Sequence, residues 1–164
     1  MSETTPNAWS FYQGWNISQE ALIKAITPLS AEQLTLHAAA NLRSIEGNCL
    51  HIIGARARWC HIIMGLGDAH FAAFGKWDRS DMPARSADEL VEGLRQSWQV
   101  LHEALIQWTP ADLAYTYPND EPEPGEPAVF TRQWIIWHLI EHDLFHSGEI
   151  SQILGMHGLP GMEL

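Results

Sequence analysis

Three histidines, His138, His142 and His146, recur at intervals of four in the segment WHLIEHDLFHSGE. On an α-helix, residues four apart stack on one face, so imidazoles placed this way can turn toward one ion. The chain holds nine His in 164 residues, so a single pair at this spacing carries little weight. A run of three is much rarer by composition. On a wheel of about 100° per residue, His142 and His146 fall with Ile135, Glu149 and Ile153 in a sector of roughly 60°, the middle of an apolar face. His138 lies about 40° to one side, near Trp134 and Phe145. Two neighbouring imidazoles facing a core need partners for their nitrogens, and a shared metal ion supplies them.

A site between helices needs a ligand from a second helix. In the segment CLHIIGARARWCHIIMG, His51 shares a face with Ala55, Trp59 and Ile62, whereas His61 sits about 80° away on a flank. His51, His142 and His146 are therefore the expected ligands. His102 is expected beside the Trp98 seam, and His37, His70 and His157 in or near loops as ordinary histidines. Three neutral imidazoles without an obligatory fourth side chain make the open sphere of catalytic rather than structural sites. Zn²⁺ suits these donors best, and Ni²⁺ or Fe²⁺ fit the same set. The open position would hold water, whose lowered pKa makes hydroxide available, or a substrate thiol as thiolate. Glu149, one turn beyond His146, reads as an acceptor behind the ligands, a weak general base, a fourth ligand, or a helix-end carboxylate bonded to a neighbouring helix. Gly148 is expected to permit close helix approach.

These residues must be carried by long helices. The first opens with Thr5 as cap and Pro6 at the first helical position and runs to about Thr27, stopped by Pro28. The second begins near Ser44 and continues to the Gly65-Leu66-Gly67 breaker. Ser86 followed by Glu89 is a capping box opening the third, whose stripe Leu94, Trp98, Leu101, Leu105 and Trp108 alternates steps of four and three. The third ends at Thr109-Pro110. The fourth runs from Thr131 to about Gly155. Residues 68–85 and 109–130 are long connectors, and Asn119 to Pro127 is too rich in proline for regular structure. No alternating run argues for a sheet. The expected fold is all-α, a four-helix bundle with long crossover connections, as one domain over residues 1–164.

Composition removes other functions. The net charge is −11, from 20 acids against 9 Lys plus Arg. Such a surface repels nucleic acid and anionic membranes, and the pair Arg56 and Arg58 is too small a basic patch to offset it. No apolar run is long enough to span a membrane, and neither a membrane span nor a signal peptide is expected. Cys49 and Cys60 sit in one helix about 16 Å apart, beyond disulfide reach, so reduced thiols and a cytoplasmic location are expected.

The segment WIIWHLIEHDLFHSGEISQILGMHGLPG resembles the C-terminal helix and tail of the DinB/YfiT-like superfamily, and CLHIIGARARWCHIIMG resembles its second helix. Length, capping and long crossings match as well. The resemblance implies a four-helix bundle, often dimeric, with a three-histidine site filled by Zn²⁺ or Ni²⁺. His51 corresponds to the histidine of the second helix, and His142 and His146 to the HxxxH pair before Gly-Glu. His138 exceeds that pattern; in place of His146 it would move the site up one turn. Characterised relatives include thiol-dependent S-transferases and a mycothiol-dependent maleylpyruvate isomerase.

The resemblance implies a metal-dependent transferase that uses a low-molecular-weight thiol on a small electrophile. Two alternatives stand beside it: a hydrolase using hydroxide generated at the metal, and a non-catalytic metal- or ligand-binding dimeric bundle. A homodimer is expected because the fourth helix carries a second apolar strip, Ile136, Trp137, Ile140 and Leu144, which needs cover of its own.

Overall fold

Hydroxyl caps start three of the four long helices. In the computed structural model, which describes residues 6–164, Ser44 accepts from the amide of Gly47 at the head of α3, Ile45–Ala57. Ser86 and Glu89 form the reciprocal box at the head of α5, Ala87–Gln107. Thr131 accepts from Trp134 N–H at the head of α6, Arg132–Met156. Each cap satisfies an amide that the first turn leaves without a partner.

The first helix, α1, begins later than the sequence suggests. It spans Trp9–Ile26 and has no side-chain cap. Thr5 lies outside the described residues, and Pro6 precedes the helix rather than opening it. The reason is a long-range tie: Ala8 N–H donates to Trp108 O at 2.7 Å, fixing the approach to α1 against the end of α5.

The connectors hold structure the sequence did not announce. Ser30 and Gln33 make a capping box on the four-residue α2, Ala31–Leu34. The crossing after α3 contains α4, Ala69–Ala73, followed by a tight turn over Phe74–Lys76. The second crossing contains a two-stranded antiparallel ladder, β1 Thr116–Pro118 with β2 Val129–Thr131, pairing Tyr117 with Phe130. Three residues per strand are too few to show an alternation, so the expectation of no strand was wrong for a segment this short. The proline-rich stretch between the strands has no regular structure.

The described residues are mostly helical. α3 packs on α5 and α6, and α1 packs on the same two helices. The α5 stripe points inward as expected: Leu94, Leu101 and Leu105 are wholly buried, and Trp98 and Trp108 nearly so. Burying such a side chain contributes about 1.5–3 kcal/mol. Cys49 and Cys60 are both buried and unpaired, and burial pushes both thiols far above their ordinary range.

Three finer expectations fail. α3 continues as a wider π-type turn over Arg58–Ile63. That turn advances each residue by less than the α-helical angle, so Ile62 leaves the face of His51 and is 70% exposed. Gly148 faces open space, with nothing near where a Cβ would stand, so it serves no close helix approach. On α6, Ile136 is wholly buried by this chain itself, whereas Trp137 and Leu144 remain exposed. No helix of the described residues is long and apolar enough to cross a membrane.

Candidate metal centre

α3 brings His51 against the two α6 histidines one turn apart. The ring centroids of His51 lie 4.8 Å from those of both His142 and His146, which are 4.5 Å from each other. One nitrogen of each ring lies within 4.8 Å of those of the other two. Two nitrogens on one tetrahedral Zn²⁺ stand about 3.4 Å apart, with bonds of about 2.1 Å. A modest inward rotation of the side chains would let the three nitrogens share one ion.

Hydrogen bonds set which nitrogens remain. His51 Nδ1–H donates to Asp78 Oδ2 at 2.9 Å, and His146 Nδ1–H donates to Glu149 Oε2 at 2.7 Å. Each ring keeps Nε2 as a lone-pair donor. His142 Nδ1 is buried with no hydrogen-bond partner. An unpaired buried nitrogen is costly, and an ion between the rings is one way to relieve that cost.

Electrostatics hold the pair neutral. Burial, then the neighbouring His146, His51, His138 and Arg56, lowers His142 to a pKa of about 3. Burial also lowers His51, against the pull of Asp78. Neutral imidazole is the metal-ligating form. Burial pushes the Asp78 carboxyl up, but the hydrogen bonds from Arg58 and His51 together outweigh it and hold the group below its ordinary value.

Behind the rings lies a buried ion pair. Asp143 follows His142 but points the other way, its Oδ2 accepting from Arg56 Nε at 2.9 Å, Arg56 Nη2 at 2.7 Å and Trp15 Nε1 at 2.8 Å. Arg56 also donates to Gln19 Oε1 and to Leu94 O. α1, α3, α5 and α6 thus meet at one guanidinium. Burial pushes the Asp143 carboxyl up, with the Arg56 charge pulling against it. Arg56 is only 1% exposed and is buried against Asp143, and Arg58 is engaged by Asp78, so the two do not make a basic patch on the surface.

The remaining histidines lie elsewhere. His138 stacks on Trp134, with centroids 5.2 Å apart, and meets the edge of Trp59 at 4.9 Å. It lines, with Glu141, His142, Phe145 and His146, an open cleft of about 300 Å³ at the mouth of the centre. His61 Nδ1–H donates to Leu66 O. His102 packs on Trp9 and Trp98, as expected. His70 contacts Gln96, and His157 contacts His37 O. None of these joins the three-histidine group.

Sequence reasoning missed Asp78 and Asp143. Asp78 lies in a connector without periodicity, so no wheel could place it opposite His51. Asp143 stands two residues from Glu141 on α6, and without its distant partner Arg56 it reads as one more solvated charge.

The sequence matches a model of the DinB family over residues 1–161. No curated protein matches it. Among solved structures, a DinB-like protein from Bacillus cereus is similar in fold, with a TM-score of 0.72 and 21% identity over 98% of this chain and 99% of that one. Family membership and the three-histidine group fit a metal-binding protein.

Proposed function

This chain belongs to the DinB family, and on that premise we propose that it holds a divalent transition metal through His51, His142 and His146. The long helices α1, α3, α5 and α6 would form a four-helix bundle in a single domain around the site. Zn²⁺ suits the donors best, and Ni²⁺ and Fe²⁺ fit them too. The observation that carries this reading is the convergence of three imidazoles, two with Nδ1 tied to a carboxylate and one with a buried nitrogen unpaired.

The reaction we propose is transfer of a low-molecular-weight thiol onto a small electrophile: the thiol gives its proton to solvent, its sulfur forms a bond to the electrophilic carbon, and a leaving group such as halide departs with the electrons of the bond it breaks. A bound ion would supply Lewis acidity, keeping a thiol ionised near neutral pH. The chain's own contribution is orientation. Asp78 and Glu149 hold the outer nitrogens of His51 and His146, and this role for Glu149 supports an open sphere rather than one closed by a fourth side chain. The mouth cleft of about 300 Å³ matches the small end of ligand sites. Phe145 there is 66% exposed, offering an apolar wall to a substrate.

Incubating the metal-loaded protein with activated halogenated electrophiles, with and without glutathione-like thiols, tests the reaction. Consumption that requires the thiol supports transfer. Hydrolysis of an ester or amide panel without thiol would favour the metal-dependent hydrolase, and inertness in both would favour a metal-binding bundle.

A further inference from the structure

We propose that Asp78 is the positioning residue of this centre, and that the crossing over residues 68–85 docks as part of the metal site. The inference rests on the metal reading above. Among the three rings, His51 is alone on α3, and its outer nitrogen is held by a residue from another element. His146, by contrast, is held by Glu149 from its own helix. An imidazole ligand whose second nitrogen is unheld can rotate about its ring axis, and the acceptor behind it sets both orientation and tautomer.

The structure commits several residues to placing this one carboxylate. Arg58 grips Asp78 in a fork, Nη1 to Oδ1 at 2.8 Å and Nη2 to Oδ2 at 2.9 Å, and Nη1 also donates to Gly75 O at 2.8 Å. Gly54, one turn along α3 from His51, leaves room for that pair. A Cβ there would stand 2.9 Å from Arg58 Nη1 and 3.1 Å from Asp78 Cγ. The preceding residue, Trp77, enters a notch at Gly93 on α5, where a Cβ would meet the indole at 2.7 Å and Ile53 Cδ1 at 2.9 Å. The Arg85 guanidinium lies 4.4 Å over the same indole, and Phe74 meets its edge. A connector needed only to span two helices has no use for a partly buried ion pair, whose desolvation is costly. The arrangement makes sense if the carboxylate must meet His51 in a fixed pose.

Docking and metal binding are then linked. Whatever loosens the crossing weakens the ion, and the ion in turn steadies the crossing by the same factor. The effect reaches Trp77, which packs against Gly93, Phe74 and Arg85 rather than against a histidine.

The test is Zn²⁺ affinity of the full chain by chelator competition, with the visible spectrum of the Co²⁺-loaded protein as second readout. Parent, Asp78→Ala, Asp78→Asn, Trp77→Ala and His142→Ala are compared, each confirmed as folded by circular dichroism. Asp78→Ala is expected to weaken Zn²⁺ about 10–100-fold and to alter the Co²⁺ bands. Asp78→Asn, nearly isosteric and able to accept from Nδ1–H, should fold and lose less. Trp77→Ala should shift affinity in the same direction by a smaller factor. If the Asp78 variants bind Zn²⁺ as the parent does, with unchanged Co²⁺ bands and only a lower thermal midpoint, while His142→Ala has lost the metal, the positioning role is overturned and the metal site stands. If the parent itself takes up no Zn²⁺, both readings fall.

Discussion

The imidazole of His142 lies 4.8 Å, centroid to centroid, from that of His51 on another helix, and its Nδ1 is buried without a partner. That nitrogen belongs to a ring held neutral down to a pKa of about 3. The folded chain therefore keeps an uncharged pair of rings where an unfolded chain would carry protons.

The sign of the pH effect follows. His142 is lowered from an ordinary 6.5 to about 3, and His51 is also lowered. Between those values the unfolded chain binds a proton that the folded chain refuses, so metal-free stability falls as pH drops through that window. Urea midpoints taken from about pH 7.5 to about pH 5.5, above the ordinary carboxylate values of about 4, should decline steadily in the parent. The slope should be shallower in His142→Gln. Equal slopes would show that His142 is not held neutral by the fold.

How much of this was readable beforehand depends on which interactions are local. Caps at Ser44, Ser86 and Thr131 involve residues within one turn, so the starts of three helices were legible. The pairing of His142 with His146 is periodic, and His51 shared a face with apolar residues, so the three-histidine group was legible too. Periodicity gave no access to the wide turn at Arg58–Ile63, which rotated Ile62 outward. Nor did it reach the partnerships Arg56–Asp143 and His51–Asp78, which join distant elements and leave no mark on either segment alone.

The Arg56–Asp143 pair should behave as a unit. Removing one partner leaves a buried charge uncompensated, at a cost of about 3–5 kcal/mol. Asp143→Ala should lose stability of that order in urea unfolding of the metal-free chain. The double change Arg56→Met with Asp143→Leu should recover most of it. Additive losses in the double variant would contradict the pairing.

Two glycines should respond oppositely. At Gly93 a Cβ would stand 2.7 Å from Trp77 and 2.9 Å from Ile53 Cδ1, so Gly93→Ala should destabilise by about 1–3 kcal/mol. At Gly148, inside α6 with nothing within 4 Å, Ala relieves the helix penalty of glycine and should stabilise by up to about 1 kcal/mol. Thermal midpoints moving together would refute this packing.

The homodimer expected from the sequence would cover the outer face between α1 and α6. Phe11, Trp137 and Leu144 are 63%, 61% and 44% exposed, and all three line one shallow cleft between the helices. Light scattering at micromolar concentration should give the mass of two chains, and Trp137→Glu should give one. A parent mass of one chain would contradict the dimer.

The most direct measurement is elemental analysis of gently purified protein, repeated on His51→Ala, His142→Ala and His146→Ala. About one transition metal is expected per parent chain, as a three-imidazole site binds a single ion, and little in any of the three variants. Equal metal in parent and variants, or a parent that remains metal-free after incubation with Zn²⁺, would contradict it.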